Sequence, residues 1–334
     1  MDNVSSKNPP LIILTGPTAS GKTGLSISLA KRIDAEIISA DSMQVYKKLD
    51  IGSAKIRSEE MCGIKHYLID EYEFDFDFNV VEFQRRAKEA INEIYNKGKI
   101  PLIVGGTGFY IQSVLKDIDF TETTGDTDYR ESLYKLARDE GSEAVFDILK
   151  DIDPESAKTI HPNNVKRVVR AIEFAKFTGN RISVHNDNEK KKESPYNFAY
   201  FVMSMNRDRL YNRIDYRVDK MLEEGLLSEV VSLKNEGAKR DMISMQGLGY
   251  KELLAYLDDD ISLPKDYNKS SMDPYLDEAV RLIKRNTRHF AKRQMTWFRR
   301  ENDVIYLDAD KYSNDEMHDN IIDILKDKNI LENK

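Results

Sequence analysis

The chain has 334 residues, 40% hydrophobic and 33% charged, enough to bury a sizeable core as one embellished domain or as two. Its net charge of −7 excludes a generic nucleic-acid binder held by an all-round basic surface, so any RNA site must be a local basic patch. The single cysteine, Cys62, excludes intrachain disulfides and multi-cysteine zinc sites, fits a reducing cytoplasm, and is expected to be buried as free cysteines usually are.

In chain order, Leu11 to Leu14 reads as a buried strand, far shorter than a signal or membrane segment. Gly16 to Gly21 follows as a glycine-bearing loop. Lys22 to Arg32 then reads as a helix, with Leu25, Leu29 and Ile33 at helical spacing. Glu36 to Ala40 and Ile100 to Val104 are further short apolar runs, separated by a helical stretch from Val81 to Asn96. Strands alternating with helices imply a parallel sheet. From about Ile118 the strand pattern disappears, and helices such as Tyr129 to Glu140 and Asn164 to Phe177 are expected. The charged run from Asn186 to Ser194 reads as a solvated loop. Phe198 to Met203 returns as a strand, followed by helices at Arg207 to Glu224, Leu226 to Asn235 and Asp277 to Arg300, with a polar loop at Asp258 to Asp273. The expected division is therefore a core of residues 1–117, a helical insertion of 118–197 and a core continuation of 198–334. No membrane association and no obligate protein partner is expected.

GPTASGKT, spanning Gly16, Pro17, Thr18, Ala19, Ser20, Gly21, Lys22 and Thr23, matches the phosphate-loop pattern G-x-x-x-x-G-K-[ST] in its proper setting between strand and helix. Its backbone N–H groups and the helix N-terminus favour phosphate oxygens, Lys22 supplies a cation, and the Thr23 hydroxyl is a ligand for Mg²⁺. A glycine turn that only caps a helix would explain neither Lys22 nor the preceding strand. The motif identifies a di- or triphosphate ligand and leaves open which bond is broken.

In an open parallel sheet the ligand lies beyond the carboxyl ends of the strands, which places Asp41, Ser42 and Thr107 near the loop. A carboxylate at Asp41 suits either Mg²⁺ binding through water or proton abstraction, and the residues alone do not choose. Helix capping and turn bonding are the plain alternatives for Asp41 and Thr107. From Arg281 to Arg300 there are eight basic residues and no acid. On a helical wheel Arg281, Lys284, Arg285, Arg288, Lys292 and Arg299 form a stripe opposite Leu282, Ile283, Phe290 and Trp297, and that stripe, Arg288 and Lys292 in particular, is expected to meet RNA, with a merely solvated basic face as the plain alternative. Arg209, Arg213 and Arg217 form an arginine row suited to phosphate, with intrahelical pairing to Asp208, Asp215 and Asp219 as the competing reading. A nucleotide or metabolite kinase and a non-catalytic RNA-binding module both remain open at this point.

Taken together, GPTASGKT, DSMQVY at Asp41 to Tyr46, GGTGFY at Gly105 to Tyr110, NNVKRVVRAIE at Asn163 to Glu173, RIDYRVDKMLEEGL at Arg213 to Leu226, GLGYKEL at Gly247 to Leu253 and AKRQMTWFR at Ala291 to Arg299 resemble the bacterial tRNA dimethylallyltransferase family over almost the whole chain. The resemblance implies an α/β fold, a P-loop nucleoside-triphosphatase-like parallel sheet flanked by helices with an all-helical insertion. It implies transfer of a dimethylallyl group from dimethylallyl pyrophosphate to N6 of the adenine immediately 3′ of the anticodon. The phosphate loop would then hold the donor's pyrophosphate with Mg²⁺ and need no ATP hydrolysis. By the same resemblance Asp41 is the general base, Thr107 contacts the reacting base, and Lys22 and Arg217 meet the pyrophosphate. The tRNA anticodon stem-loop would be met by Asp41, Ser42, Met43, Gln44, Arg130, Lys166, Arg167, Val168, Val169, Arg170, Met245, Gln246, Gly247, Leu248, Gly249 and Tyr250. Phe109 and Leu248 stand where the family usually has leucine and isoleucine, and Lys166 where it has a polar residue.

Overall fold

The computed structural model describes residues 8–120, 127–264 and 272–332. The chain forms two compact units, one of Met1–Val114 with Pro195–Lys334 and the other of Leu115–Ser194.

The first unit is built in chain order from β1 (Pro10–Thr15), α1 (Lys22–Ile33), β2 (Ala35–Ala40), β3 (His66–Tyr67), α2 (Val80–Asn96), β4 (Ile100–Gly105) and α3 (Gly108–Leu115). The second unit carries α4 (Thr127–Asp139), α5 (Ser142–Ile152), α6 (Pro154–Thr159), α7 (Val165–Thr178) and α8 (Ile182–Lys191). The first unit then resumes with β5 (Asn197–Ser204), α9 (Arg207–Glu223), α10 (Leu226–Asn235), α11 (Tyr250–Leu257), α12 (Pro274–Phe298), β6 (Val304–Asp308) and α13 (Asn314–Asp327).

The six strands make one parallel sheet in the order β3-β2-β4-β1-β5-β6. Leu11, Ile12, Ile13 and Leu14 are fully buried. An unbroken apolar run is what a central parallel strand requires, because helices cover both of its faces. At roughly 1.5–3 kcal/mol for each large aliphatic side chain removed from water, β1 and its neighbours are the rigid frame on which the loops beyond their ends are hung. The parallel register places Thr15 beside Gly105 and Ala40 beside Gly105, so three strands end together. The approach is tight: a Cβ on Gly105 would lie 2.2 Å from the Ala40 carbonyl oxygen.

The second unit packs Leu133, Val145, Phe146, Leu149, Val168, Val169, Ala171 and Ile172 into its own core. It ends at Ser194, earlier than residue 197, because Asn197 is already in register with Pro10 in the sheet. The run from Asn186, expected as a loop, is helical through Lys191. Its charges do not prevent this, because one face is anchored: the His185 ring lies 5.0 Å from that of Phe174. Buried Glu189 accepts a hydrogen bond from the Asp119 N–H at 2.8 Å and pairs with Lys192 at 2.6 Å. Cys62, expected inside, is exposed, in a turn where it takes φ 52°. α12 begins at Pro274, before Asp277, with the Asp273 carboxylate capping the Leu276 N–H at 3.0 Å and proline at the first helical position. Part of the polar loop expected at 258–273 lies outside the described residues. No helix among the described residues is long and apolar enough to cross a membrane.

Candidate active site

The glycine loop leaves β1 through Gly16, where a Cβ would lie 2.8 Å from the Met203 carbonyl oxygen, and enters α1 through Gly21 at φ 99°. Only glycine meets both demands without strain. Lys22, the first residue of α1, folds back to donate to the carbonyls of Gly16 at 2.9 Å and Pro17 at 2.7 Å. Burial, helped by the positive charge of Arg217 and opposed by Asp41, pushes its pKa down to about 7. Arg217 is likewise shifted down by burial and by Arg213, and supported by Asp41. Arg213 braces the loop by donating to the Ala19 carbonyl at 2.8 Å. Three cations thus converge on the loop from α1 and α9, and Asp41 is the anion whose field reaches two of them.

Asp41 follows the carboxyl end of β2. Its Oδ1 accepts from the N–H groups of Met43 at 2.8 Å and Gln44 at 3.3 Å, an Asx-type turn that fixes the carboxylate's direction. Thr107 lies just past β4, its N–H donating to the Ala40 carbonyl at 3.1 Å and its own carbonyl opening α3. Asp41 and Thr107 therefore owe their proximity to the shared carboxyl ends of β2 and β4.

A cleft of about 550 Å³ is lined by Thr18 to Thr23, Asp41, Arg213 and Arg217, with Tyr216 and Lys220 also on its wall. A second cleft of about 250 Å³ is lined by Asp41, Ser42, Met43, Thr107 and the loop Gln246 to Gly249. Thr18, Asp41, Ser53, Gly106, Arg217, Phe290 and Gln294 line both. Gln294 is the residue that pattern reading missed. It is buried on α12, accepts from the Thr18 N–H at 2.9 Å and donates to the Gly106 carbonyl at 2.9 Å. Its signal was a polar amide among the cations, spaced with Ala291 and Phe298 on the buried side of the helix.

The loop facing the second cleft is held from behind. The Glu229 carboxylate accepts from the N–H groups of Asp50 at 3.1 Å, Ile51 at 2.7 Å and Gly52 at 3.1 Å, and from the Tyr250 hydroxyl at 2.6 Å. Tyr250 and Met245 are fully buried, so neither side chain can touch a macromolecular ligand as expected. In that segment Gln246 is exposed and Leu248 half-buried. Val168 and Val169 are buried in the core of the second unit, which likewise removes their side chains from any interface; Lys166, Arg167 and Arg170 are exposed on the same helix. Arg130 pairs with buried Glu173 at 2.9 Å.

The basic stripe on α12 is divided. Arg288 and Lys284 point at α9, where they pair with Asp215 and Asp219, each at 2.5 Å, and Arg281 pairs with Glu278 at 2.6 Å. The acids that the helix lacks are supplied by α9, so Arg288 is a packing contact and not a free RNA-facing charge. Asp215 and Asp219 are in turn not intrahelical partners of the arginine row. Lys292, Arg293, Arg299 and Arg300 are exposed.

The chain matches the family model described as IPP transferase over residues 44–301. It is 58% identical over 323 residues to a tRNA dimethylallyltransferase of Lachnoclostridium phytofermentans, covering 96% of this chain and 99% of that protein. Its structure is similar to the full-length tRNA isopentenylpyrophosphate transferase of Bacillus halodurans, with TM-score 0.70, 42% identity and coverage of 98% and 99% of the two chains. It is also similar to the tRNA delta(2)-isopentenylpyrophosphate transferase of Staphylococcus epidermidis, with TM-score 0.68, 41% identity and coverage of 96% and 99%. A eukaryotic dimethylallyltransferase acting on tRNA aligns with TM-score 0.79 at 27% identity, over 96% of this chain and 79% of that one.

Proposed function

The chain belongs to the IPP transferase family, and on that premise we propose that it transfers a dimethylallyl group from dimethylallyl pyrophosphate to N6 of the adenine immediately 3′ of the anticodon in tRNA, releasing pyrophosphate in the cytoplasm. The observation that carries this reading is the pair of clefts sharing Asp41 and Arg217, one walled by the phosphate loop and the other by Thr107 and Gln246 to Gly249. A donor in the first and a base in the second would meet at those shared residues.

The allylic C–O bond breaks with its electron pair leaving on pyrophosphate, and the N6 lone pair forms the new C–N bond. Lys22, Arg217 and the loop N–H groups neutralise the departing charge. Asp41, aimed by the Met43 and Gln44 amides, takes the N6 proton. The adenine has to leave its stack to enter the second cleft. Among the described residues no cluster of three or more His, Cys, Asp or Glu could hold a metal by itself. The Thr23 hydroxyl, with Asp41 on the same wall, is an oxygen donor suited to Mg²⁺ shared with a diphosphate, where the ion would supply further neutralisation of the leaving group.

Mass spectrometry of tRNA nucleosides after incubation with enzyme, tRNA and dimethylallyl pyrophosphate tests the reading. Prenylated adenosine at the position 3′ of the anticodon is expected. Unmodified tRNA together with release of ADP from ATP would replace it with the kinase reading.

A further inference from the structure

We propose that Gln294 sets the phosphate loop to accept a diphosphate and refuse a triphosphate. This rests on the pyrophosphate-donor reading above and names the residue that enforces it. Loops of this pattern can hold a third phosphate, because the lysine reaches the β- and γ-phosphates while the backbone amides cradle the rest. Here the Lys22 amine is turned toward Gly16 and Pro17, which marks the start of the loop as the far end of a phosphate chain laid along it. The next N–H in that direction, Thr18, is already occupied by the Gln294 oxygen at 2.9 Å.

The amide is locked in place at both ends. Its nitrogen donates to the Gly106 carbonyl at 2.9 Å, and the side chain is only 6% exposed. A Cβ on Gly106 would lie 2.1 Å from that nitrogen, so the facing loop is bare to make room for it. The Gln294 side chain thus stands on the cleft wall between Thr18 and Gly106. A terminal phosphate at Thr18 would have to expel the amide, breaking two hydrogen bonds and leaving the half-buried Gly106 carbonyl without its Gln294 partner. A diphosphate seated on Ala19 to Thr23 leaves both bonds intact.

Calorimetric titration of the full chain with inorganic pyrophosphate and with inorganic tripolyphosphate tests this, using the ratio of their affinities. Wild type is expected to prefer pyrophosphate by about tenfold or more, and Gln294→Ala to shrink that preference by about tenfold, through tighter tripolyphosphate binding, because a terminal phosphate then has no pair of hydrogen bonds to break. Gln294→Met, which keeps the volume and the fold while removing both bonds, is expected to shift the ratio in the same direction by less. A wild type that binds both anions equally, or variants that lose both affinities in parallel, would overturn the proposal and leave Gln294 as a brace. Prenylation of tRNA by the wild type, measured alongside, keeps the two readings apart: its absence sinks the donor assignment, whereas a flat anion ratio with intact prenylation sinks only the role of Gln294.

Discussion

One guanidinium nitrogen of Arg288 on α12 donates to both carboxylate oxygens of Asp215 on α9, at 2.5 and 2.7 Å. With side-chain exposures of 28% and 37%, this pair clamps the helix bearing Arg213 and Arg217 to the helix bearing Gln294. Arg288→Glu is expected to set two carboxylates face to face and to lower stability by about 1 kcal/mol or more. Asp215→Lys in the same chain should restore much of the loss. Thermal denaturation of both single variants and the double variant checks it; additive losses would remove the clamp.

Lys292 is exposed on the same helix. If the proposed tRNA-binding role holds, Lys292→Glu should leave the melting temperature unchanged, weaken tRNA binding, and lower the slope of log affinity against log salt by about one for each RNA phosphate that is no longer neutralised. Binding measured across a salt series decides, and an unaltered slope would assign Lys292 to solvent.

Lys22 titrates near 7 in the free protein against an ordinary 10.5. Since the folded value is depressed, the unfolded chain binds the extra proton between these limits, and this group's contribution to stability rises with pH through that window. A bound anion reverses the preference and draws the proton back, so pyrophosphate affinity should fall by up to tenfold per unit as pH rises above about 7. Comparison with Lys22→Arg, which stays charged, cancels the titration of pyrophosphate itself. A wild-type to variant affinity ratio that stays flat from about pH 7 to 9 would contradict the assignment.

Asp41→Asn retains the shape and the acceptor for the Met43 and Gln44 amides but takes no proton. As a lost general base it should slow single-turnover prenylation by roughly 10² to 10⁴ while tRNA still binds. Recovery of the wild-type rate at raised Mg²⁺ would instead make Asp41 a metal-organising group, since a neutral ligand weakens a hard-cation site without abolishing it.

The glycine loop, the four long strands and the residues at their carboxyl ends were legible because each rests on local pattern: an apolar run, a glycine spacing, an acid after a strand. What was not legible depends on which element lies opposite. Nothing in Arg281 to Arg300 says that Asp215 and Asp219 stand across from Lys284 and Arg288, and contiguity in NNVKRVVRAIE groups Val168 with Arg167 although the helix turns one into the core and the other to solvent. Of the edge strands, β3 has only two residues and so carries no run to read, whereas β6 does carry one, Val304 to Leu307, which the pattern reading passed over.

Successive N–H groups in a turn form a cup for an anion, and two such cups here differ in how they are filled. The one at Ala19 to Thr23 lies along the wall of the larger cleft; the one at Asp50 to Gly52 is stoppered by the chain's own Glu229. A tethered carboxylate at that seat competes at an effective concentration far above that of any free phosphate. The seat is therefore filled from within the chain: Glu229, carried on α10, takes up three N–H groups beside Ser53, on the wall of both clefts, and a free phosphate would have to displace a carboxylate tied to its own helix to reach them.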